Sequence, residues 1–202
     1  MKTLLIATHN RNKIREYAEI LNPLGYEIKS PLDYGLTGEA EENGTTYREN
    51  AYLKAKWVAD RLAMPVIADD SGIEIAALGN HFPGIHSARW AKTISPDADY
   101  RIVNAHVLSL LKDAKDRSAE YHCCIVLLQH PNDEPLVYEG VCKGHILEEA
   151  KGNHGFGYDP IFHCDEANLD FGVCSEEEKN RVSHRGKATR ELLAFLAEPH
   201  LV

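Results

Sequence analysis

The chain has 202 residues, 44% of them hydrophobic, and a formal net charge of −9. These values predict a globular protein with a sizeable core, and they argue against a long nucleic-acid partner, whose phosphates require a basic surface. No apolar run approaches the length of a membrane span, and the N-terminal run is too short for a secretory signal. The five cysteines are odd in number and form no C-x-x-C pair. We therefore expect reduced thiols in a cytoplasmic protein, rather than disulfides or a zinc site.

A polar loop joins the first predicted strand, Thr3–Ala7, to the first predicted helix. The helix is indicated by Ile14, Tyr17, Ala18 and Leu21, which recur at i, i+3, i+4 and i+7. Free backbone N–H groups and the positive end of a helix favour a phosphate at such a junction. A lysine in the first turn opposes the helix dipole unless an anion is bound; the alternative is a solvated cap with a surface lysine. The residues of this candidate phosphate loop are Thr8, His9, Asn10, Arg11, Asn12 and Lys13.

An acidic loop at residues 38–44 follows a possible second strand, Tyr26–Ser30, and precedes a helix that runs from Tyr47 to Leu62. Asn50 and Lys54 flank the apolar stripe of that helix, from where they can reach a cleft; the alternative for Lys54 is an ordinary surface lysine. We expect one glutamate of the acidic loop to share a metal with an aspartate elsewhere. The alternative is a solvated run of charge.

Two adjacent aspartates, Asp69 and Asp70, lie between the apolar runs Pro65–Ala68 and Ile73–Leu78. The pattern predicts that one strand ends there and another begins, with Gly72 allowing the backbone to bend. Neighbouring carboxylates repel each other, and a divalent cation is the commonest reason for a fold to keep them together. The alternative is a polar turn.

The second half of the chain alternates turn signals with regular elements. Ser95 and Pro96 predict the start of a helix, and Tyr121–Gln129 and Leu136–Ile146 predict two long strands joined as a hairpin. The segment 152–162 places glycines around two aromatic residues, which suits a backbone that approaches a ligand and a ring that stacks on it. The alternative is a glycine bulge with core aromatics.

Two short patterns near the C-terminus place cations at helix starts. Ser175 and Glu178 form a capping box for a short helix that carries Lys179. Ser183 caps a last helix whose first turn contains His184 and Arg185. Cations at a helix N-terminus oppose the dipole, so a bound anion or carbonyl group would resolve the conflict.

The polar stretches occur in an order that can be compared with known families. They are Thr8-x-Asn10-x-x-Lys13, Ala68–Gly72, Pro83-Gly84-Ile85-x-Ser87-Ala88-Arg89, Gly155–Phe162, and Lys179 with Ser183–Gly186. In this order they resemble the inosine triphosphate pyrophosphatase family, enzymes that hydrolyse deaminated purine nucleotides. His9, His86 and the loop Asn80–Phe82 depart from the family's usual pattern, which affects the shape of the cleft rather than the chemistry.

The resemblance implies an α/β fold with a long mixed β-sheet and flanking helices. Residues 1–202 would form one domain of two lobes around a central nucleotide cleft, usually as a homodimer. It implies Mg²⁺-dependent hydrolysis of ITP, dITP or XTP to the monophosphate and pyrophosphate. By position, Glu41 and Asp70 would hold the metal, Asp70 would accept the proton of the attacking water, and the Thr8–Lys13 loop and Lys179 would hold phosphates. The residues expected to contact the nucleotide are Ser71, Phe156, Gly157, Tyr158, Asp159, His184 and Arg185.

These residue types also predict selectivity for 6-keto purines. Arg185 and His184 can donate to a carbonyl oxygen and Asp159 can accept from a ring N–H, whereas adenine presents the reverse pattern. Phe156 alone would stack on any base. Two other functions are considered: a pyrophosphatase for modified pyrimidine nucleotides on a similar fold, and a nucleotide-binding regulator without turnover.

Overall fold

The structure is a computed structural model that describes residues 2–197. It confirms the predicted α/β fold: a mixed seven-stranded sheet in the order β2-β1-β3-β4-β5-β6-β7, with flanking helices. The strands are β1 (Lys2–Ile6), β2 (Tyr26–Lys29), β3 (Val66–Ile75), β4 (Ser118–Leu128), β5 (Leu136–Ile146), β6 (Phe162–Cys164) and β7 (Leu169–Asp170). The helices are α1 (Arg11–Leu21), α2 (Tyr47–Leu62), α3 (Ser87–Ile94), α4 (Tyr100–Leu110), α5 (Glu176–Val182) and α6 (His184–Leu196).

Strand β1 lies between two parallel neighbours. Leu4 is opposite Ile28 on β2, and Leu5 is opposite Val66 on β3. Parallel strands need crossover connections, which α1 and α2 supply. At the other edge, β6 pairs antiparallel with both β5 and β7. The polar loop after β1 therefore lies between a strand and a helix, as the sequence predicts.

Local side-chain caps explain where several helices begin. The Asn10 side chain caps α1, and Thr46 with Glu49 forms a capping box for α2. The predicted capping box of Ser175 and Glu178 at α5 is confirmed. The predicted cap at Ser183 is confirmed as well, since its Oγ accepts a hydrogen bond from the N–H of Gly186 at 3.1 Å.

The chain divides into two compact units. Within residues 2–197, the first contains residues 2–70, Cys123–Glu139 and 188–197, and its buried clusters include Ile6, Tyr17 and Ile125. The second contains Ser71–His122 and Gly140–Lys187, and its core includes Ile73, Val107 and Phe162. The nucleotide cleft implied by the resemblance stays a prediction.

The predicted break between two strands at Gly72 is wrong, because β3 runs without interruption from Val66 to Ile75. Glycine is needed there for a different reason. A Cβ atom at Gly72 would lie 2.1 Å from the carbonyl oxygen of Gly84 and 2.8 Å from Ser87 Oγ. Ser87 Oγ accepts from the N–H of Ile73 at 3.0 Å. Gly72 thus allows another backbone segment to approach β3.

The predicted helix start at Ser95 is also wrong. Helix α4 begins at Tyr100 and is capped by Asp99, whereas Ser95 Oγ accepts a hydrogen bond from the N–H of Asp99 at 3.1 Å.

The two long strands agree with prediction, although β4 begins three residues earlier, at Ser118. All five cysteines are buried free thiols, as expected. No helix within residues 2–197 is long and apolar enough to cross a bilayer.

Candidate active site

The loop between β1 and α1 is ordered by its own side chains. Asn10 Oδ1 accepts hydrogen bonds from the N–H groups of Asn12 at 3.0 Å and Lys13 at 3.4 Å, and Thr8 Oγ1 accepts from the N–H of Asn10 at 3.1 Å. His9 Nδ1 lies 3.9 Å from Glu39 Oε1. Arg11 is exposed at the first position of α1. Asn10 therefore caps α1, and the contact of this loop with phosphates stays a prediction.

The anion that Lys13 requires is supplied by the chain itself. Lys13 Nζ lies 2.9 Å from Asp69 Oδ2, and the side chain of Asp69 has no exposed surface. Cys123 Sγ approaches the same oxygen at 3.9 Å. Sequence reasoning recognised the aspartate pair but assigned chemistry only to Asp70. The sequence signal for Asp69 is its adjacency to Asp70. Its partner, Lys13 on α1, is distant along the chain, so the sequence does not indicate the ion pair.

Asp70 is buried in a network of polar side chains that is partly open to solvent. Lys54 Nζ donates to Asp70 Oδ1 at 2.9 Å and to Glu42 Oε2 at 3.3 Å. Asn50 Nδ2 donates to Asp70 Oδ2 at 3.4 Å, while Asn50 Oδ1 accepts from the N–H of Gly44 at 2.9 Å. Burial alone would lower the pKa of Lys54, but the nearby carboxylates, Asp70 first, raise it above its ordinary value. The Lys54 ammonium therefore stays charged beside Asp70.

The structure brings Glu42, rather than the predicted Glu41, into this network. Glu41 is exposed, whereas Glu42 shares the ammonium group of Lys54 with Asp70. Within residues 2–197, no group of three or more His, Cys, Asp or Glu side chains is arranged to hold a metal ion. Asp70 and Glu42, which both contact the ammonium group of Lys54, nevertheless fit Mg²⁺. This ion is typically held by one or two carboxylates and several waters.

A second polar cluster, in the other unit, surrounds Asp159. This buried carboxylate accepts hydrogen bonds from the N–H of Phe156 at 2.8 Å, Lys179 Nζ at 2.7 Å and Tyr121 OH at 3.2 Å. The side chains of Asp159 and Lys179 are each only 3% exposed. The ammonium of Lys179 also lies 5.0 Å from the centroid of the Phe156 ring. Lys179 is thus placed to hold the 156–159 turn, and its predicted contact with phosphates remains untested.

Two buried cation-forming side chains begin α6. The ring of His184 stacks on Tyr121 with centroids 4.6 Å apart and planes at 6°. The guanidinium of Arg185 donates to Ser71 Oγ at 2.9 Å, and the residue is only 2% exposed. Burial and the charge of Asp159 raise the pKa of Tyr121, so its hydroxyl remains a hydrogen-bond donor. Sequence reasoning missed Tyr121, because an aromatic residue in a predicted strand is typical of a core.

Gly155 and Gly157, in and beside the 156–159 turn, both have positive φ angles. Gly155 has φ 68°, and a Cβ atom there would lie 2.2 Å from Asp159 Oδ2. Gly157 has φ 66°, and its carbonyl oxygen accepts from Asn104 Nδ2 at 3.1 Å. Tyr158 donates its hydroxyl to the carbonyl oxygen of Ser87 at 2.9 Å and is buried, which matches the core-aromatic alternative.

Comparisons with known proteins cover nearly the whole chain. A sequence model described as the Ham1 family matches residues 4–195. A dITP/XTP pyrophosphatase of Syntrophobacter fumaroxidans is 45% identical over 94% of this chain and 79% of its own length. A protein of the same name from Halalkalibacterium halodurans is 43% identical over 97% of this chain and 100% of its own. A HAM1 protein structure from Coxiella burnetii has a TM-score of 0.84 at 37% identity, covering 97% of this chain and 98% of the other.

Proposed function

Because this chain belongs to the Ham1 family, we propose that it hydrolyses triphosphates of deaminated purine nucleosides, such as dITP, ITP and XTP, to monophosphate and pyrophosphate. The observation that carries the proposal is the partly buried network of Asp70 with Lys54, Asn50 and Glu42. The names of the relatives support the choice of substrate.

On the triphosphate side, we assign the chemistry to residues of the first unit. Asp70 would orient the attacking water and accept its proton, with Lys54 and Asn50 holding the carboxylate in place. Lys54 and Lys13 would supply positive charge to the phosphates, which phosphoryl transfer needs more than covalent help. The loop from Thr8 to Lys13 would contribute backbone N–H groups and side-chain donors at the start of α1.

The metal assignment follows from the same carboxylates. Asp70, together with Glu41 or Glu42 from the acidic loop, would hold Mg²⁺. When bound there, Mg²⁺ would supply positive charge against the charge that develops on the phosphates. The contact of Glu42 with Lys54 supports Glu42, whereas the resemblance to the family supports Glu41.

On the base side, we assign recognition to residues of the second unit. Arg185 and His184 would donate to the 6-keto oxygen, and Phe156 would stack on the base. Ser71 and Gly157 would make further contacts with the nucleotide. Asp159 already accepts three hydrogen bonds, so we assign it to orient Lys179 and the 156–159 turn as well as to face the base. A site of buried donors rejects adenine because the amino group would leave those donors unpaired.

The test is the release of pyrophosphate from ITP, XTP, dITP, GTP and ATP, with and without Mg²⁺. We expect turnover of the first three with Mg²⁺, and a loss of at least about 10²-fold in Asp70→Asn, the usual contribution of a catalytic base. The matched control is Asp60→Asn, an exposed aspartate on α2, which should leave the rate unchanged. Thermal melting checks that both variants fold.

Three outcomes would contradict the proposal. Equal kcat/KM for ATP and ITP would exclude reading of the base edge, and faster turnover of pyrimidine nucleoside triphosphates, assayed beside this panel, would favour the other class of pyrophosphatase. Tight binding without pyrophosphate release would favour a regulator.

Arg185→Met should lower kcat/KM for ITP about 5- to 150-fold more than for ATP, which corresponds to about 1–3 kcal/mol for an unpaired group. The homodimer and the cytoplasmic location stay predictions, and light scattering tests the first of them.

A further inference from the structure

The antiparallel pair β5–β6 carries two histidines that lie directly opposite each other. His145 on β5 pairs in register with His163 on β6. Their ring centroids are 4.8 Å apart and their planes are inclined at 35°. Neighbouring residues along each strand, such as Ile146 and Phe162, are buried on the other face of the sheet. The two imidazoles therefore form a pair on one face of the second unit, separate from the cluster around Asp159.

Each imidazole is oriented by its own carboxylate. His145 Nδ1 lies 2.7 Å from Asp165 Oδ1, and His163 Nδ1 lies 2.6 Å from Asp170 Oδ1. A carboxylate accepts hydrogen bonds, so the Nδ1 of each ring is the donor, and Nε2 is the nitrogen through which each neutral imidazole would bind a metal.

The polar contacts of both rings leave their Nε2 atoms uncommitted within residues 2–197. Among residues 2–197, neither Nε2 has a hydrogen-bond or ion-pair partner, because the polar contacts of both rings are made through Nδ1. The side chain of His145 is 43% exposed and that of His163 is 18% exposed. Both imidazoles therefore keep exposed surface from which a small cation can approach the pair.

We propose that His145 and His163 form a binding site for a divalent transition metal ion such as Zn²⁺, with water molecules completing the coordination. Neutral imidazole suits Zn²⁺, Ni²⁺ and Cu²⁺, whereas Mg²⁺ prefers oxygen ligands. A histidine that ligates a metal almost always donates its other ring N–H to a carboxylate, carbonyl or water, and Asp165 and Asp170 occupy that position here. The two imidazole ligands differ from the carboxylates proposed to hold Mg²⁺ at Asp70, so the two proposed sites are distinct.

The experiment is a calorimetric titration of Zn²⁺ into full-length protein without an affinity tag, in excess Mg²⁺ to occupy carboxylate sites. We expect one site that is lost in both His145→Ala and His163→Ala. Asp170→Asn should weaken binding about 10- to 100-fold, the usual effect of removing an outer hydrogen bond to a ligand. The matched control is His130→Ala, because His130 has its Nδ1 held by Asp133 at 2.9 Å but makes no ring contact with another histidine within residues 2–197.

Nitrogen-15 NMR of the histidine rings provides a second measurement. Bound Zn²⁺ should shift the Nε2 signals of His145 and His163 and leave their Nδ1 atoms protonated. Binding that is unchanged in both alanine variants would overturn the proposal, as would an equal loss in His130→Ala. If an alanine variant fails to fold, the NMR of the wild type decides, and Nε2 signals that do not move with Zn²⁺ refute the site. Pyrophosphate release plays no part in either readout, so the proposed function and this site can fail independently.

Discussion

The buried ion pair between Asp159 and Lys179 leads to a large expected effect on stability. Asp159→Asn removes a charge whose partner ammonium is held at 2.7 Å, with both side chains only 3% exposed. The rings of Phe156 and Phe171, at 5.0 and 5.8 Å from Lys179 Nζ, cannot replace a carboxylate. Breaking a buried ion pair from one side costs about 3–5 kcal/mol, because the remaining charge stays buried.

This free energy corresponds to a measurable shift in melting temperature. For a domain of this size, about 1 kcal/mol changes Tm by roughly 2–4 °C, so Asp159→Asn should lower Tm by roughly 6–20 °C. We expect a value near the lower end, since the Asn side chain still has an oxygen that can accept from the N–H of Phe156. Urea denaturation of wild type and variant at neutral pH gives the difference in free energy of unfolding directly.

The double variant Asp159→Asn/Lys179→Met separates charge burial from other effects. Removing both charges should recover most of the lost stability, because replacing a buried pair by apolar groups is often neutral or stabilising. A loss below about 1 kcal/mol in the single variant would refute the assigned role of the pair. A double variant as unstable as the single one would place the cause elsewhere. Lys179→Met alone also tests the predicted contact with phosphates. If Lys179 binds a phosphate, its loss should weaken ITP binding far more than inosine binding.

Two further predictions concern the acidic loop and the helix after it. If Glu42 holds Mg²⁺, Glu42→Gln should raise the Mg²⁺ concentration needed for half-maximal rate, and Glu41→Gln should not; the opposite result would support the family position, Glu41. Hydrogen bonds from Thr45 lower the pKa of Glu49 below its ordinary value. This carboxylate therefore stabilises the fold above its unfolded pKa of about 4.3, and the contribution is lost as pH falls through the folded pKa. Glu49→Gln should be less stable than wild type in urea at neutral pH, with a difference that disappears in acid; a constant difference would contradict this reasoning.

The features that the sequence predicted correctly depend on residues close together in the chain. The capping box of Ser175 and Glu178 joins positions three apart, so the pattern itself specifies the hydrogen bonds. Strand β5 was predicted with its observed bounds, because an apolar run between turn signals is a local property. The family assignment likewise rests on short stretches of polar residues whose order is visible without coordinates.

Only the tertiary structure decided which groups are the partners of the buried charges. Asp69 neutralises Lys13, and Tyr121 donates to an aspartate 38 positions away, and no periodicity indicates either contact. The choice of Glu42 over its neighbour as the partner of Lys54 depends on where the acidic loop lies beside α2. The sequence pattern predicts a bend at Gly72, whereas β3 is continuous there. Glycine is needed at this position because the backbone of Gly84, from elsewhere in the chain, approaches β3 closely. Propensity acts between neighbours in sequence, whereas a buried charge needs a partner wherever packing brings one.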